Sequence, residues 1–203
     1  MATGTGMDDK DRQIAELSRR LEHEVGALNR LIEITGLLNS TLNVDELLGM
    51  IMSSGADLLE AETSSLFLLD EDKKELEIAV ATGAPAEDVM RQRIPADAGI
   101  AGWVVENGEA AVVDDPATDP RFYGGVDEQS GFQTRNVLAV PLRTKEKVIG
   151  VVEIINKRDG GFSQDDVRVA SALADQAGTA IDNARLYARL ADAVVTSRMS
   201  YRL

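Results

Sequence analysis

No cysteine occurs among the 203 residues, which excludes disulfides, thiolate nucleophiles, iron–sulfur clusters and thioether-linked chromophores together. Histidine is nearly as scarce, and the single His23 can supply neither a multi-histidine metal site nor a Ser/His/Asp relay. No apolar run approaches the ~18 residues of a membrane span. The opening Met1-Ala2-Thr3-Gly4-Thr5-Gly6 lacks the basic segment of a secretory signal, so a cytoplasmic chain is expected. Positive charge is in deficit too: 21 Lys plus Arg stand against 35 Asp plus Glu, a formal net charge of -14. Nucleic-acid backbones and anionic bilayers are repelled by such a field, and neither is expected as a partner. A phosphate-binding loop, a dinucleotide fingerprint and a nucleophile beside a base are all missing, so no catalytic residue, metal or resident cofactor is expected and the chain reads as a non-enzyme.

What is present is ordinary globular composition, 44% hydrophobic and 28% charged, enough for one domain with helical extensions. After residues 1–10, read as disordered, residues 11–42 carry Ile14, Leu17, Leu21, Leu28, Leu31, Leu38 and Leu42 at heptad spacing. This seam predicts a dimerisation helix, although a helix packed in its own core would show the same stripe. Asn43 before Val44-Asp45-Glu46 reads as an N-cap, and Leu47, Leu48, Ile51, Met52, Leu58 and Leu59 form the apolar face of a second helix.

Strand chemistry follows. Residues 63–69 and 75–80 read as a hairpin around Asp70-Glu71-Asp72-Lys73-Lys74, and 91–94 as a brief strand. Ile100 to Glu106 predicts a short helix, stopped by Asn107-Gly108, and Ala110 to Val113 another strand. The stretch 114–135, with two prolines and three glycines, is long for a connection, and such loops are usually functional. Two more strands, 136–142 and 148–155, should pair antiparallel. Ser163-Gln164-Asp165-Asp166 opens like a capping box, and only Gly178 interrupts the run to about Arg202. Val169, Leu173, Ala180, Tyr187, Leu190 and Val194 keep a heptad-like seam in that helix, which predicts a partner helix and a homodimer held by both termini.

The run Ile94-Pro95-Ala96-Asp97-Ala98-Gly99-Ile100-Ala101-Gly102, then Pro120-Arg121-Phe122-Tyr123-Gly124-Gly125-Val126-Asp127, Gly131-Phe132-Gln133-Thr134-Arg135-Asn136-Val137-Leu138 and Val148 to Lys157 is similar to the cyclic-nucleotide-binding GAF domains of phosphodiesterases and cyanobacterial adenylyl cyclases. The resemblance implies an α+β fold, an antiparallel six-stranded sheet with helices on one face, to which the heptad seams add long, coiled-coil-like helices at both termini. It assigns residues 43–187 to the domain and 188–203 to an extension of its last helix. Asn156, Lys157, Phe162 and Asp166 fit a further motif of that subfamily, with Val167 where a Glu is usual. A Lys157–Asp166 ion pair would clasp the last strand to the long helix.

The function implied is regulatory: a small-molecule sensor binding cyclic AMP or cyclic GMP and signalling through dimeric helices to an effector domain or protein. The alternative is a ligand-free dimerisation and signal-transmission scaffold. By resemblance, Ile100, Ala101 and Tyr123 hold the cyclic phosphate. Physical chemistry agrees, since Gly99-Ile100-Ala101 opens a helix whose free amides and positive dipole end favour an anion, although the same residues could simply pack. Asp127, Ser130 and Thr134 match sugar and base contacts, Glu153 one from the last strand, and Ser65 one from the first. Where the resembling domains have Phe-Asp after the second strand, Ala81-Thr82 stand here, and Thr82 keeps a hydroxyl for a base edge.

Overall fold

The computed structural model describes residues 44–83, 89–145 and 147–200, with side chains of the last segment through residue 186. The expected helix over 11–42, the disordered start at 1–10 and the side chains of Tyr187, Leu190 and Val194 lie outside the described residues. Among those described, no helix is long and apolar enough to cross a membrane.

Helix α1 (Val44–Leu58) buries the expected stripe, with Leu47, Leu48, Ile51 and Met52 all in the core. Glu60, at φ 52, turns the chain into β1 (Ala61–Asp70), which pairs antiparallel with β2 (Glu75–Ala81). The hairpin turn is tightened by the Lys73 amide, which donates to Asp70 Oδ1 at 3.1 Å. After β3 (Arg93–Pro95) come α2 (Gly99–Asn107), β4 (Ala111–Val113), a 3-10 turn (Pro116–Thr118) and a six-residue helix, α3 (Gly125–Ser130). Strands β5 (Val137–Thr144) and β6 (Lys147–Lys157) precede the 37-residue helix α4 (Gln164–Ser200). The six strands form one antiparallel sheet in the order β3-β2-β1-β6-β5-β4.

Helices cover both faces of this sheet, which corrects the expectation of one. The cause is visible in β1, where Thr63 to Phe67 is buried without a break. Even-numbered residues face α1, so that Ser64 Oγ donates to the Met52 carbonyl at 2.7 Å. Odd-numbered ones face the other way, where Phe67 joins Val151, Ala139 and residues Ile100, Ala101 and Val104 of α2 in a second apolar cluster. A strand apolar on both sides needs a cover on both sides.

In α4, Ala170, Leu173, Ala174, Ala177, Ala180 and Ile181 are buried against the protein's own sheet and α1. The expectation that Leu173 and Ala180 meet a partner helix is therefore overturned, because this stripe already has its cover. Small side chains let α4 lie close. At Gly178 an added Cβ would stand 2.0 Å from the Arg143 carbonyl oxygen, so only glycine permits this approach. The capping box is formed: the Ser163 amide donates to Asp166 Oδ2 at 2.7 Å and the Asp166 amide to Ser163 Oγ at 3.2 Å.

Candidate functional site

On the face opposite α1 and α4, the sheet, α2 and the segment after β4 enclose a hollow of about 70 Å³. At ~10–15 Å³ per water, it holds about five, far below the ~300–1,000 Å³ of pockets that take drug-sized ligands. Its floor is apolar, with Phe67, Ile78, Ile94, Val137 and Ile155, and its roof carries Phe122, Val126 and Phe132. Polar groups enter from β1 (Thr63 and Ser65), β6 (Glu153) and the roof (Tyr123, Asp127, Ser130 and Thr134).

The amino end of α2 forms one wall. Gly99 has φ +75, and a Cβ there would come within 3.1 Å of Tyr123 Cβ, so glycine serves both the turn and the close approach. Ala98 offers no side-chain cap. Gly102 is the first amide with a helical acceptor, the Ala98 carbonyl at 3.0 Å, which leaves the amides of Gly99, Ile100 and Ala101 as the donors helix geometry does not satisfy. All three residues line the hollow.

The opposite side is acidic. Asp127 on α3 is held in place by Thr134, whose amide donates to Oδ2 at 2.7 Å and whose hydroxyl donates to Oδ1 at 2.8 Å. Ser130 turns inward on its own helix, donating to the Val126 carbonyl at 2.8 Å and accepting from the Phe132 amide at 3.3 Å. Glu153 lies between Ser65 and Ala139 in the sheet register. Burial, and second the Asp127 charge, push its carboxyl up to about 7.

Two anchors hold the roof at its ends. Arg121 binds Asp119 through Nε at 3.0 Å and Nη2 at 2.7 Å, and its guanidinium stands 4.8 Å from the centre of the Trp103 ring on α2. At the exit, fully buried Asn156, in a left-handed conformation (φ 61), accepts from the Arg135 amide at 2.7 Å. It also donates to the Gln133 carbonyl at 2.9 Å and to Glu62 at 2.8 Å. The neighbouring Lys157 reaches Asp166 at 2.6 Å, so the expected clasp is formed.

Eight of the anticipated positions meet in this hollow: Ser65, Ile100, Ala101, Tyr123, Asp127, Ser130, Thr134 and Glu153. Thr82 does not. Its hydroxyl lies 2.9 Å from Ser64 Oγ and accepts from the Ser64 amide at 3.2 Å, so it pins the end of β2 to β1. Sequence reasoning did not select Phe122, Phe132 or Val126, which bring aromatic and aliphatic faces from the roof. Their position inside a glycine-rich stretch hid them, although an apolar residue directly after a glycine in a long loop, as at Val126 and Phe132, is the signal that could have found two of them. Among the described residues no group of three or more acidic or histidine side chains could hold a metal.

Fold and hollow together define an α+β domain with a short helical roof over an internal cavity. A family model described as GAF domain matches residues 43–183, and the chain belongs to that family. A probable 3',5'-cyclic phosphodiesterase, pde-5, of Caenorhabditis elegans is 29% identical over 185 residues, covering 86% of this chain and 25% of that protein. The chain thus spans about a quarter of that relative's length. Among solved structures, the GAF domain of a phosphoenolpyruvate-protein phosphotransferase from Coxiella burnetii superposes with a TM-score of 0.72 at 21% identity, over 80% of this chain and 96% of that one. A free methionine-R-sulfoxide reductase from Neisseria meningitidis, solved with its substrate, reaches 0.67 at 20% identity, over 79% and 91%. At these identities the structural likenesses show the fold alone.

Proposed function

We propose that this GAF domain is a regulatory sensor whose hollow takes a cyclic nucleotide, cyclic AMP or cyclic GMP. The observation that carries this reading is that Ile100 and Ala101, whose amides lack a helical acceptor, line the same cavity as Asp127, Ser130, Thr134 and Glu153. A cyclic phosphate is a monoanion suited to the helix start. The ribose hydroxyls and base amines are donors suited to the carboxylate end. Tyr123, which is 42% exposed, can add a hydroxyl beside the phosphate, and the roof phenylalanines can stack on the base in place of the aromatic that Ala81 lacks. Likeness to a phosphodiesterase supports the ligand class. The overall charge of -14 slows the approach of an anion more than it weakens the bound state, because screening acts within ~8 Å at physiological ionic strength.

Seating a nucleotide requires α3 to move outward, since about 70 Å³ accommodates only a few waters. That motion is the signal: an altered roof changes the sheet against α4, whose backbone spans about 55 Å at 1.5 Å per residue. In a cytoplasmic homodimer, joined through the terminal helices, the change passes to an effector domain or protein. The small volume also supports a second reading, a scaffold that transmits signals without a ligand. Titration calorimetry with cyclic AMP and cyclic GMP separates the two. Saturable heat that disappears in Asp127→Ala supports the sensor, and absence of heat with both nucleotides at millimolar concentration leaves the scaffold.

A further inference from the structure

We propose that Glu153, with Asp127 above it, forms a proton-operated gate: α3 lies over the hollow while Glu153 carries a proton, and swings outward when Glu153 loses it.

The hollow's lining includes these two carboxylates and no Lys, Arg or His. Among the described residues the Glu153 side chain has no hydrogen-bond or ion-pair partner, so none of them compensates a charge on it. Asp127 already has both oxygens occupied by Thr134. The register neighbours of Glu153, Ser65 on β1 and Ala139 on β5, are uncharged, as are the α2 residues of the lining, Gly99, Ile100 and Ala101. The phenol of Tyr123 is the further titratable group in the lining, and the amino end of α2 is the one positive feature. Two carboxylates that line one hollow without a cation beside them repel each other when both are ionised. The repulsion falls between a fixed strand, β6, and a helix that can move.

That helix is held to the exit segment by the two Thr134 bonds to Asp127 and is otherwise built to give way. No residue of α3 is buried. It starts at Gly124-Gly125 and ends at Gly131, which is at φ +69. The segments on either side are tied down, through Asp119–Arg121 to Trp103 on one side and through Asn156 to Gln133 and Arg135 on the other. Charge repulsion therefore acts on the stretch between two fixed points. Because burial and the Asp127 charge place the Glu153 carboxyl at about 7, the gate operates around neutral pH.

The gate does not depend on what the hollow binds, so its test omits nucleotide. Amide hydrogen exchange of residues 125–132, corrected for the intrinsic rate at each pH, is measured at pH 6 and pH 8. The protonated fraction of a group titrating near 7 falls about tenfold between these values, and protection of the α3 amides is expected to fall by a similar factor. Glu153→Gln keeps the shape and removes the charge, so it should hold the pH 6 protection at pH 8. Asp127→Asn should do the same. Equal protection at both values in the unaltered protein overturns the gate, as does a pH dependence that survives in Glu153→Gln. Failure of cyclic nucleotides to bind would leave this result untouched.

Discussion

Replacing glycine by alanine at three helical positions should produce three different outcomes. In a helix interior alanine is favoured over glycine by ~0.5–1 kcal/mol, because glycine surrenders more backbone freedom on folding. At Gly49 in α1 nothing lies within 4 Å of an added Cβ, so Gly49→Ala keeps this gain and should raise the melting temperature by about 2 °C. At Gly55 the new methyl meets Leu173 Cδ1 at 3.2 Å and Ile154 Cδ1 at 3.3 Å. Both are ends of flexible side chains, so gain and crowding should nearly cancel.

Gly178→Ala is the decisive case. Its Cβ would stand 2.0 Å from the Arg143 carbonyl oxygen, and backbone cannot rotate aside. Helix α4 must lift from β5 by more than 1 Å, and a gap of ~0.5–1 Å already forfeits a quarter to a half of each affected dispersion contact. Leu173, Ala174, Ala177 and Ile181 lose packing together. The cost is about 3 kcal/mol or more, against a propensity gain of ~1 kcal/mol. Thermal unfolding followed by circular dichroism should show a fall of about 6 °C or more for the net effect. If Gly178→Ala melts as high as Gly49→Ala, the close approach of α4 to β5 is refuted.

Two further substitutions probe the anchors near the site. Asn156→Ala should cost about 3 kcal/mol in urea unfolding, because it removes the Arg135, Gln133 and Glu62 hydrogen bonds and puts alanine at a left-handed φ of 61; a loss under ~1 kcal/mol would show that these bonds do not hold the roof's exit. Burial pushes the Asp166 carboxyl up, but hydrogen bonds from Lys157 and from the Ser163 amide and hydroxyl outweigh it and hold the group below its ordinary value of 3.8. Its stabilisation is therefore present above pH ~4 and lost as pH falls through the lowered native value. Asp166→Asn should be weaker by about 2 kcal/mol at pH 7 and match the unaltered protein in strong acid, and a difference that is constant with pH would contradict the ion pair.

Much of the fold could be read along the chain. The alternation from Glu75 to Val80, the cap at Ser163 and the stripe of α1 are local patterns, and local patterns follow from backbone geometry that every residue carries with it. Helix α3 was not legible. Its six residues lie among glycines and none is fully buried, so no apolar period marks it, and packing of the roof determines its form. The site was legible through family resemblance rather than spacing, since Ser65, Ile100, Tyr123, Asp127 and Glu153 come from five separate segments. Thr82 was misplaced for a related reason: a hydroxyl directly after a strand has the same sequence appearance whether it meets a ligand or, as here, Ser64.

The amino-acid order by itself determined that there is no thiol or multi-histidine chemistry, that strands and helices alternate in this succession, and that α2 begins on glycine with no polar cap. Tertiary structure alone decided that the α4 stripe is covered by its own sheet, that Gly178 touches Arg143, and that two carboxylates share one cavity without a cation. The physical reason is range. Covalent sterics and side-chain periodicity act over a few residues, whereas coverage, close approach and electrostatic pairing exist only after distant segments have been brought together.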